Sequence, residues 1–136
     1  MSDDRIEAGT EIPAWVMPRV DPARMKTMAA ILRDPYPVHW DREANARIGL
    51  PGRVVNQGPL NLGYLVNMLH AWMGPGCVRR LTVSFGRPVL DEEAVVAQGT
   101  VLAVDEVAGE RRATCQLRLV RGDEVVVTGT AVVVLR

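Results

Sequence analysis

Hydrophobic and polar positions divide this chain into a helix-forming first half and a strand-forming second half. Up to residue 73, apolar residues recur at spacings of three and four, which is typical of helices. From Cys77 onward they alternate with polar residues or form Val-rich runs, which is typical of strands. The pattern therefore predicts an α+β fold.

The first helix is predicted from its start and stop signals. Asp21-Pro22 reads as an N-cap followed by a proline at the first helical position. Apolar residues continue at helical spacing to about Arg33. Pro35 and Pro37 then end the helix, because each disfavours helical geometry in the residue before it.

Two further helices are predicted downstream. Residues 41–48 form the shorter one, since Asp41 can cap its start and Gly49 suits a left-handed residue beyond its end. Residues 59–73 form the longest one. It is apolar on most sides, so we expect it to be buried.

Four strands are predicted in the second half: 78–85, 94–104, 111–120 and 124–135. The breaks between them have hairpin-like spacing, which predicts an antiparallel meander. The proline-containing segment 11–20 is predicted to hold a short edge strand. The economical packing is a curved sheet wrapped around the helix at 59–73.

Length and composition limit the classes of protein that fit. At 136 residues the chain is expected to form a single domain over 1–136, with residues 1–10 polar and disordered. Sixteen basic residues balance sixteen acidic ones, so neither nucleic acid nor an anionic membrane is expected as a partner. The acidic start and the lack of an apolar run of ~18 residues argue against a signal peptide or a membrane span. The expected location is the cytoplasm.

The two cysteines, Cys77 and Cys115, are expected to be reduced and buried. They lie 38 residues apart and lack the spacing of metal ligands. Free cysteine commonly behaves as a small hydrophobic residue. No metal site is therefore predicted.

The loop at residues 34–41 carries the chemistry that stands out. It holds Asp34 and, five residues later, His39, one of only two histidines. Prolines at 35 and 37 stiffen this loop. A carboxylate and an imidazole held in this way can share one water and exchange protons with it, since imidazole changes charge near neutral pH.

These residues resemble the MaoC-like, R-specific enoyl-CoA hydratase family, whose fold is the hot-dog. The family signature is Gly-Asp-x-Asn-Pro-x-His-x-Asp, and Asp34, Pro37, His39 and Asp41 stand at the matching offsets. About twenty residues later the family has a His-Gly that opens its central helix, and Gly58 occupies that glycine position. The resemblance covers roughly residues 20–136.

The resemblance implies an enzyme that hydrates 2-enoyl thioesters or dehydrates 3-hydroxyacyl thioesters, in fatty acid or polyketide metabolism. Asp34 and His39 would be the catalytic pair, while the Gly58 amide would form the oxyanion hole. Asp41 needs no role beyond helix capping. No cofactor is implied, since CoA or phosphopantetheine belongs to the substrate. A homodimer is implied, or a hetero-oligomer with another MaoC-like chain.

The chemistry of hydration explains these residue types without reference to the family. Water adds to C3 of the enoyl thioester while a proton reaches C2, so the site needs a base and an acid. Negative charge develops on the thioester oxygen. A backbone N–H at the positive end of the long helix can stabilise that charge, and Gly58 has no side chain to block its approach.

The chain departs from the family signature at three positions. Arg33 replaces its glycine, Tyr36 its asparagine, and Gln57 the histidine before Gly58. Tyr36 and Gln57 are therefore expected to contact the substrate and to reshape its pocket. The arginines at 79, 80 and 87 either bind phosphates of CoA or of a phosphopantetheine arm, or form a solvated strand face.

Three alternatives remain open from the sequence. The departures also fit a polyketide-type dehydratase or cyclase, or a non-catalytic partner subunit of a hetero-oligomeric hydratase. The third alternative is a thioesterase, since hot-dog proteins include thioesterases, but these commonly use a carboxylate on the central helix. Residues 59–73 contain neither Asp nor Glu, which counts against it.

Overall fold

The computed structural model describes residues 5–50 and 52–136. Within them the chain forms, in order, β1 (Glu11–Met17), α1 (Pro22–Leu32), a 3₁₀ turn (Pro37–His39), α2 (Arg42–Arg47), α3 (Gly58–Met73), β2 (Val78–Phe85), β3 (Val95–Val107), β4 (Glu110–Arg121) and β5 (Glu124–Val134). The helices and strands predicted from the sequence are present, and most of their ends agree within three residues. None of the described helices is long and apolar enough to cross a membrane.

All described strands belong to one antiparallel sheet with the order β1-β3-β4-β5-β2. The sheet curves around α3, which contacts every one of these strands. Leu65, Met68 and Leu69 of α3 are completely buried, as are Leu117 and Val133 of the sheet. Burial of these apolar side chains is the main force that holds the helix in the sheet. The predicted α+β packing is confirmed.

The predicted four-strand meander is wrong in one respect. Strands β3, β4 and β5 form consecutive hairpins, but β2 pairs with β5 and lies at the opposite side of the sheet from β1. The connection at 86–94 therefore crosses between distant strands and is not a hairpin turn. Val89 in this connection is completely buried, which helps to anchor the crossing. As expected, β1 is an edge strand, where Pro13 removes no central ladder bond.

The start of the described chain is ordered, contrary to the expectation that residues 1–10 are disordered. Ile6 is buried in the core, and the amide of Gly9 donates to the carbonyl of Val101 at 2.8 Å. The amide of Val101 donates to the carbonyl of Thr10 at 2.8 Å. Gly9 and Thr10 thus continue the pairing of β1 with β3. Residues 1–4 lie outside the described residues.

Both thiols are expected to be unreactive in the folded protein. Cys77 and Cys115 are free and buried, and burial raises the pKa of Cys77 and raises that of Cys115 to about 12. Since the thiolate is the reactive form, a disulfide reagent at pH 8 should titrate neither thiol in native protein and two per chain in denaturant. Rapid reaction of either thiol without denaturant would contradict this.

Candidate active site

The end of α1 positions Asp34. Arg33 adopts the left-handed conformation (φ 52°, ψ 40°), and its amide bonds back to the carbonyl of Ala30. The amide of Asp34 donates to the carbonyl of Ala29 at 2.9 Å. This is the Schellman arrangement, in which a left-handed residue follows the helix. It explains why a glycine suits position 33, and it directs the chain into the loop at 34–41.

Arg33→Gly is expected to stabilise the protein. A left-handed conformation costs a non-glycine residue about 1–2 kcal/mol, and the greater freedom of an unfolded glycine offsets about 0.5–1 kcal/mol of that gain. A net rise of about 0.5–1 kcal/mol in the free energy of unfolding should appear in urea denaturation. Arg33→Ala is the control, because it removes the side chain but keeps Cβ. Equal shifts in both variants would show that the backbone strain is not responsible.

Local hydrogen bonds fix the carboxylate in this loop. The amide of Tyr36 donates to Asp34 Oδ1 at 3.1 Å. The other oxygen, Oδ2, is the one that faces His39. Trp40 Nε1 donates to the carbonyl of Pro35 at 3.1 Å and closes the loop on itself. Asp41 accepts from two amides at the start of α2 and caps it, as predicted.

His39 is oriented by the segment that leads into α3. Its Nδ1 lies 2.7 Å from the carbonyl oxygen of Val55, and since a carbonyl only accepts, Nδ1 carries the proton. In the neutral ring Nε2 is then the basic nitrogen. Nε2 lies 3.7 Å from Asp34 Oδ2, which is too long for a direct hydrogen bond but lets one water contact both. The His39 side chain is 14% exposed and that of Asp34 40%.

Asn45 fastens the loop at 34–41 to the same segment. It is buried, and its Nδ2 donates to the carbonyls of Val38 (2.8 Å) and Arg53 (2.6 Å). The amide of Val55 also donates to the carbonyl of Val38 at 2.9 Å. The position of His39 is therefore set by several hydrogen bonds between the loop at 34–41 and residues 53–55, in addition to the bond made by its own Nδ1.

Gly58 begins α3 and faces the same cavity as His39. Its amide has no acceptor among the described residues, as expected for the first turn of a helix. The cavity has a volume of ≈ 320 Å³ and is lined by His39, Val55, Asn56, Gly58, Asn61 and residues 85–88. A Cβ at Gly58 would come within 3.0 Å of the Phe85 ring. Glycine at position 58 therefore lets the Phe85 ring pack closely against the start of α3.

Asp34 lies outside the cavity that His39 and Gly58 share. It lines a separate, shallow depression beside Arg33 and Trp40 and reaches His39 from that side. His39 also lines a larger cavity of ≈ 620 Å³, together with Lys26 and Arg42. The structure thus brings Asp34 and His39 together. The imidazole of His39 lies between the cavity of ≈ 320 Å³ and the cavity of ≈ 620 Å³.

The two predicted substrate contacts differ in their positions. Tyr36 is exposed, and its ring meets that of His39 edge-on with centroids 6.2 Å apart, so it lies beside the pair. Gln57 is only 1% exposed and donates through Nε2 to the carbonyl of Met25 at 2.7 Å. The assignment of Gln57 to substrate binding is corrected: its amide joins α3 to α1, because the helix start turns its side chain away from the cavity.

A cluster around Asp91 supports the site and escaped the sequence analysis. Asp91 is 2% exposed and accepts from Arg42 (2.7 Å), Arg53 Nε (2.9 Å) and the amide of Val54 (3.0 Å). Arg53 also donates to the carbonyl of Asp91. Burial alone would raise the pKa of Asp91, but these hydrogen bonds together lower it below its ordinary value. In the sequence Asp91 was indistinguishable from its acidic neighbours.

No group of three or more potential metal ligands occurs in the described part of the chain. Two of the arginines considered from the sequence have different surroundings. Arg79 is paired with Glu110 at 2.8 Å, which favours the solvated strand face for that residue. Arg87 lines the cavity of His39 and Gly58, where it lies 3.6 Å from Glu124.

Comparison with known proteins identifies the fold and the family. The MaoC like domain model matches residues 6–123. An (R)-hydratase from A. caviae involved in PHA biosynthesis is 27% identical, with 97% of this chain and 98% of that chain covered and a TM-score of 0.82. A MaoC-like dehydratase from Rhodospirillum rubrum is 25% identical, with 99% and 96% covered and a TM-score of 0.82. No curated protein sequence matches the chain.

A third structure is similar in fold alone. The ChsH1-ChsH2 complex from Mycobacterium tuberculosis is 22% identical over 95% of this chain and 98% of that chain, with a TM-score of 0.80. The curved sheet around α3 is the hot-dog fold of these structures. The chain belongs to the MaoC-like domain family.

Proposed function

We propose that this protein is an enoyl-thioester hydratase or 3-hydroxyacyl-thioester dehydratase in which Asp34 and His39 are the catalytic pair. The observation that carries the proposal is the 3.7 Å separation of His39 Nε2 and Asp34 Oδ2, with His39 Nδ1 committed to Val55. Both free polar atoms can then contact the same water. Its (R)-hydratase neighbour at 27% identity supports the same reaction class.

The pair activates the water. As the water oxygen bonds to C3, the pair accepts one of its protons, and the C2–C3 π electrons move toward the thioester to form an enolate. The pair then returns a proton to C2, which gives the 3-hydroxyacyl thioester. Dehydration is the same sequence in reverse. Neither direction needs a metal or a redox cofactor.

The start of α3 stabilises the enolate. The Gly58 amide donates to the thioester oxygen as negative charge develops there, and the positive end of the helix dipole adds to this effect. Loss of one such donor typically raises the barrier by about 3 kcal/mol. His39 and Gly58 share one cavity, which supports simultaneous action on one substrate.

The substrate is carried on CoA or on an acyl-carrier protein, and the active form is a homodimer or a hetero-oligomer with a second MaoC-like chain. The exposure of Asp34 and Tyr36 supports a site completed by a second subunit. The ChsH1-ChsH2 neighbour is itself a complex of two chains.

Crotonyl-CoA tests the proposal directly. The purified protein should remove the enoyl absorbance without releasing free thiol, since hydration leaves the thioester intact. Thiol release would indicate a thioesterase and would contradict the proposal. A protein that is inert alone but active with a second MaoC-like chain would be the partner subunit suggested by the departures at 33, 36 and 57.

A further inference from the structure

A buried polar cluster lies beside the proposed catalytic groups. Asn56 is 3% exposed and Asn61 is 4% exposed, and Tyr64 is also buried. Asn56 Nδ2 donates to Asn61 Oδ1 at 2.8 Å and to the Tyr64 hydroxyl at 3.2 Å. Neither the proposed reaction nor the packing of α3 against the sheet requires these polar groups.

The cluster has unused hydrogen-bonding capacity. Asn56 Oδ1 is buried and has no partner in the described part of the chain. Asn61 accepts through Oδ1, and its Nδ2 donates to no other described residue, although this nitrogen is not one of the fully buried atoms. Buried polar atoms are almost always paired, so the unpaired Asn56 Oδ1 calls for an explanation.

The position of the cluster suggests what satisfies it. Asn56 and Asn61 both line the cavity that holds His39 and Gly58. Asn61 lies three residues after Gly58, so it is on the same side of α3, about 4.5 Å further along the axis. A thioester oxygen bound at the Gly58 amide would therefore bring the first carbons of the acyl chain close to Asn61.

We propose that Asn61, held in place by Asn56, is a specificity-determining residue that selects acyl thioesters bearing a hydroxyl near C4. The inference rests on the proposed function, because it assumes that the cavity holds the acyl chain. Asn61 Nδ2 donates to the hydroxyl oxygen. The hydroxyl in turn has a proton to donate, and Asn56 Oδ1 is the unused acceptor of the same cluster.

Alkyl chains should bind less well in this pocket. A methyl or ethyl group would displace solvent from the cluster and supply neither a donor nor an acceptor. Sites built to hydrogen-bond a hydroxyl reject analogues that lack it far more strongly than apolar pockets discriminate by size. Substrate preference should therefore depend on Asn61 and not on the volume of the cavity alone.

Binding of two saturated thioesters tests this inference without requiring turnover. 4-Hydroxybutanoyl-CoA and pentanoyl-CoA have the same number of non-hydrogen atoms and cannot be hydrated. Calorimetry with the intact protein should give at least tenfold tighter binding of the hydroxy compound. Asn61→Leu should abolish that preference or reverse it, whereas Asn67→Leu, on the exposed side of α3, should leave it unchanged.

The outcomes separate this inference from the proposed function. Equal binding of both thioesters by the wild-type protein, or tighter binding of pentanoyl-CoA, would overturn the inference. So would a preference that Asn61→Leu leaves intact. If Asn61→Leu does not fold, the inference is decided by the preference of the wild-type protein for the hydroxy compound and by its loss in Asn61→Ala. Turnover of crotonyl-CoA is measured separately and decides the proposed function.

Discussion

Asp34→Asn and His39→Gln are each expected to lower kcat for crotonyl-CoA hydration by about 10³-fold, the range for loss of a general acid or base. Both replacements keep the size of the side chain, so the fold should be unchanged. Because the two residues act on one water, the double variant should be little worse than either single one. Initial rates from the loss of enoyl absorbance measure this, with circular dichroism and thermal unfolding to verify the fold.

Asp41→Asn is the matched control for the catalytic pair. Asp41 lies in the same loop and caps α2 through Oδ1, a role that asparagine fills equally well. Its activity and stability should match those of the wild-type protein. If Asp34→Asn or His39→Gln keeps most of the activity while folded, the pair does not perform the proton transfers.

Asp91→Ala is expected to cause the largest loss of stability, about 3 kcal/mol. The substitution leaves two guanidinium groups and the Val54 amide without their shared acceptor. The Arg42 and Arg53 side chains are partly exposed, and water can replace some of the lost bonds, so the effect should lie at the low end for a broken buried ion pair. Urea denaturation at pH 7 measures it.

Glu43→Ala is the control for this prediction. Glu43 pairs with Arg47 at 2.9 Å on the exposed face of α2, and such surface pairs contribute about 0.5 kcal/mol or less. A loss from Asp91→Ala no larger than that from Glu43→Ala would show that the Asp91 cluster does not stabilise the fold.

The Asp91 cluster also predicts a dependence of stability on pH. The pKa of the Asp91 carboxyl is lower in the folded protein than in the unfolded chain, so the unfolded state binds more protons. The free energy of unfolding therefore falls as the pH falls. The contribution should be complete above the ordinary aspartate pKa of about 3.9 and lost as the pH falls below it. Asp91→Asn should remove this part of the acid sensitivity. An unchanged acid unfolding curve in that variant would contradict it.

The positions of the helices and most strands could be predicted from the sequence because their signals are local. Asp21 and Asp41 cap the helices that they were predicted to cap, and Gly49 has the expected positive φ of 88°. The spacing of apolar residues located α3 and β2 to β5, because the side chains on the buried face of a helix or strand recur with the period of that element. The spacing of Asp34 and His39 predicted their proximity for the same reason: a short, proline-stiffened loop leaves few conformations.

The partners of each element depend on the tertiary structure, since long-range contacts leave little trace in local sequence. Strand β2 pairs with β5, and the segment at 86–94 that connects β2 to β3 holds the buried Val89 and Asp91, which no turn signal revealed. Gln57 bonds to Met25 instead of entering the cavity, while Asn56 and Asn61 meet beside Gly58. The sequence determined which elements form and which chemistry is present, whereas packing of α3 against the sheet decided which side chains meet. The direction of side chains such as Gln57 is set by contacts with residues far away in the sequence, which no local pattern encodes.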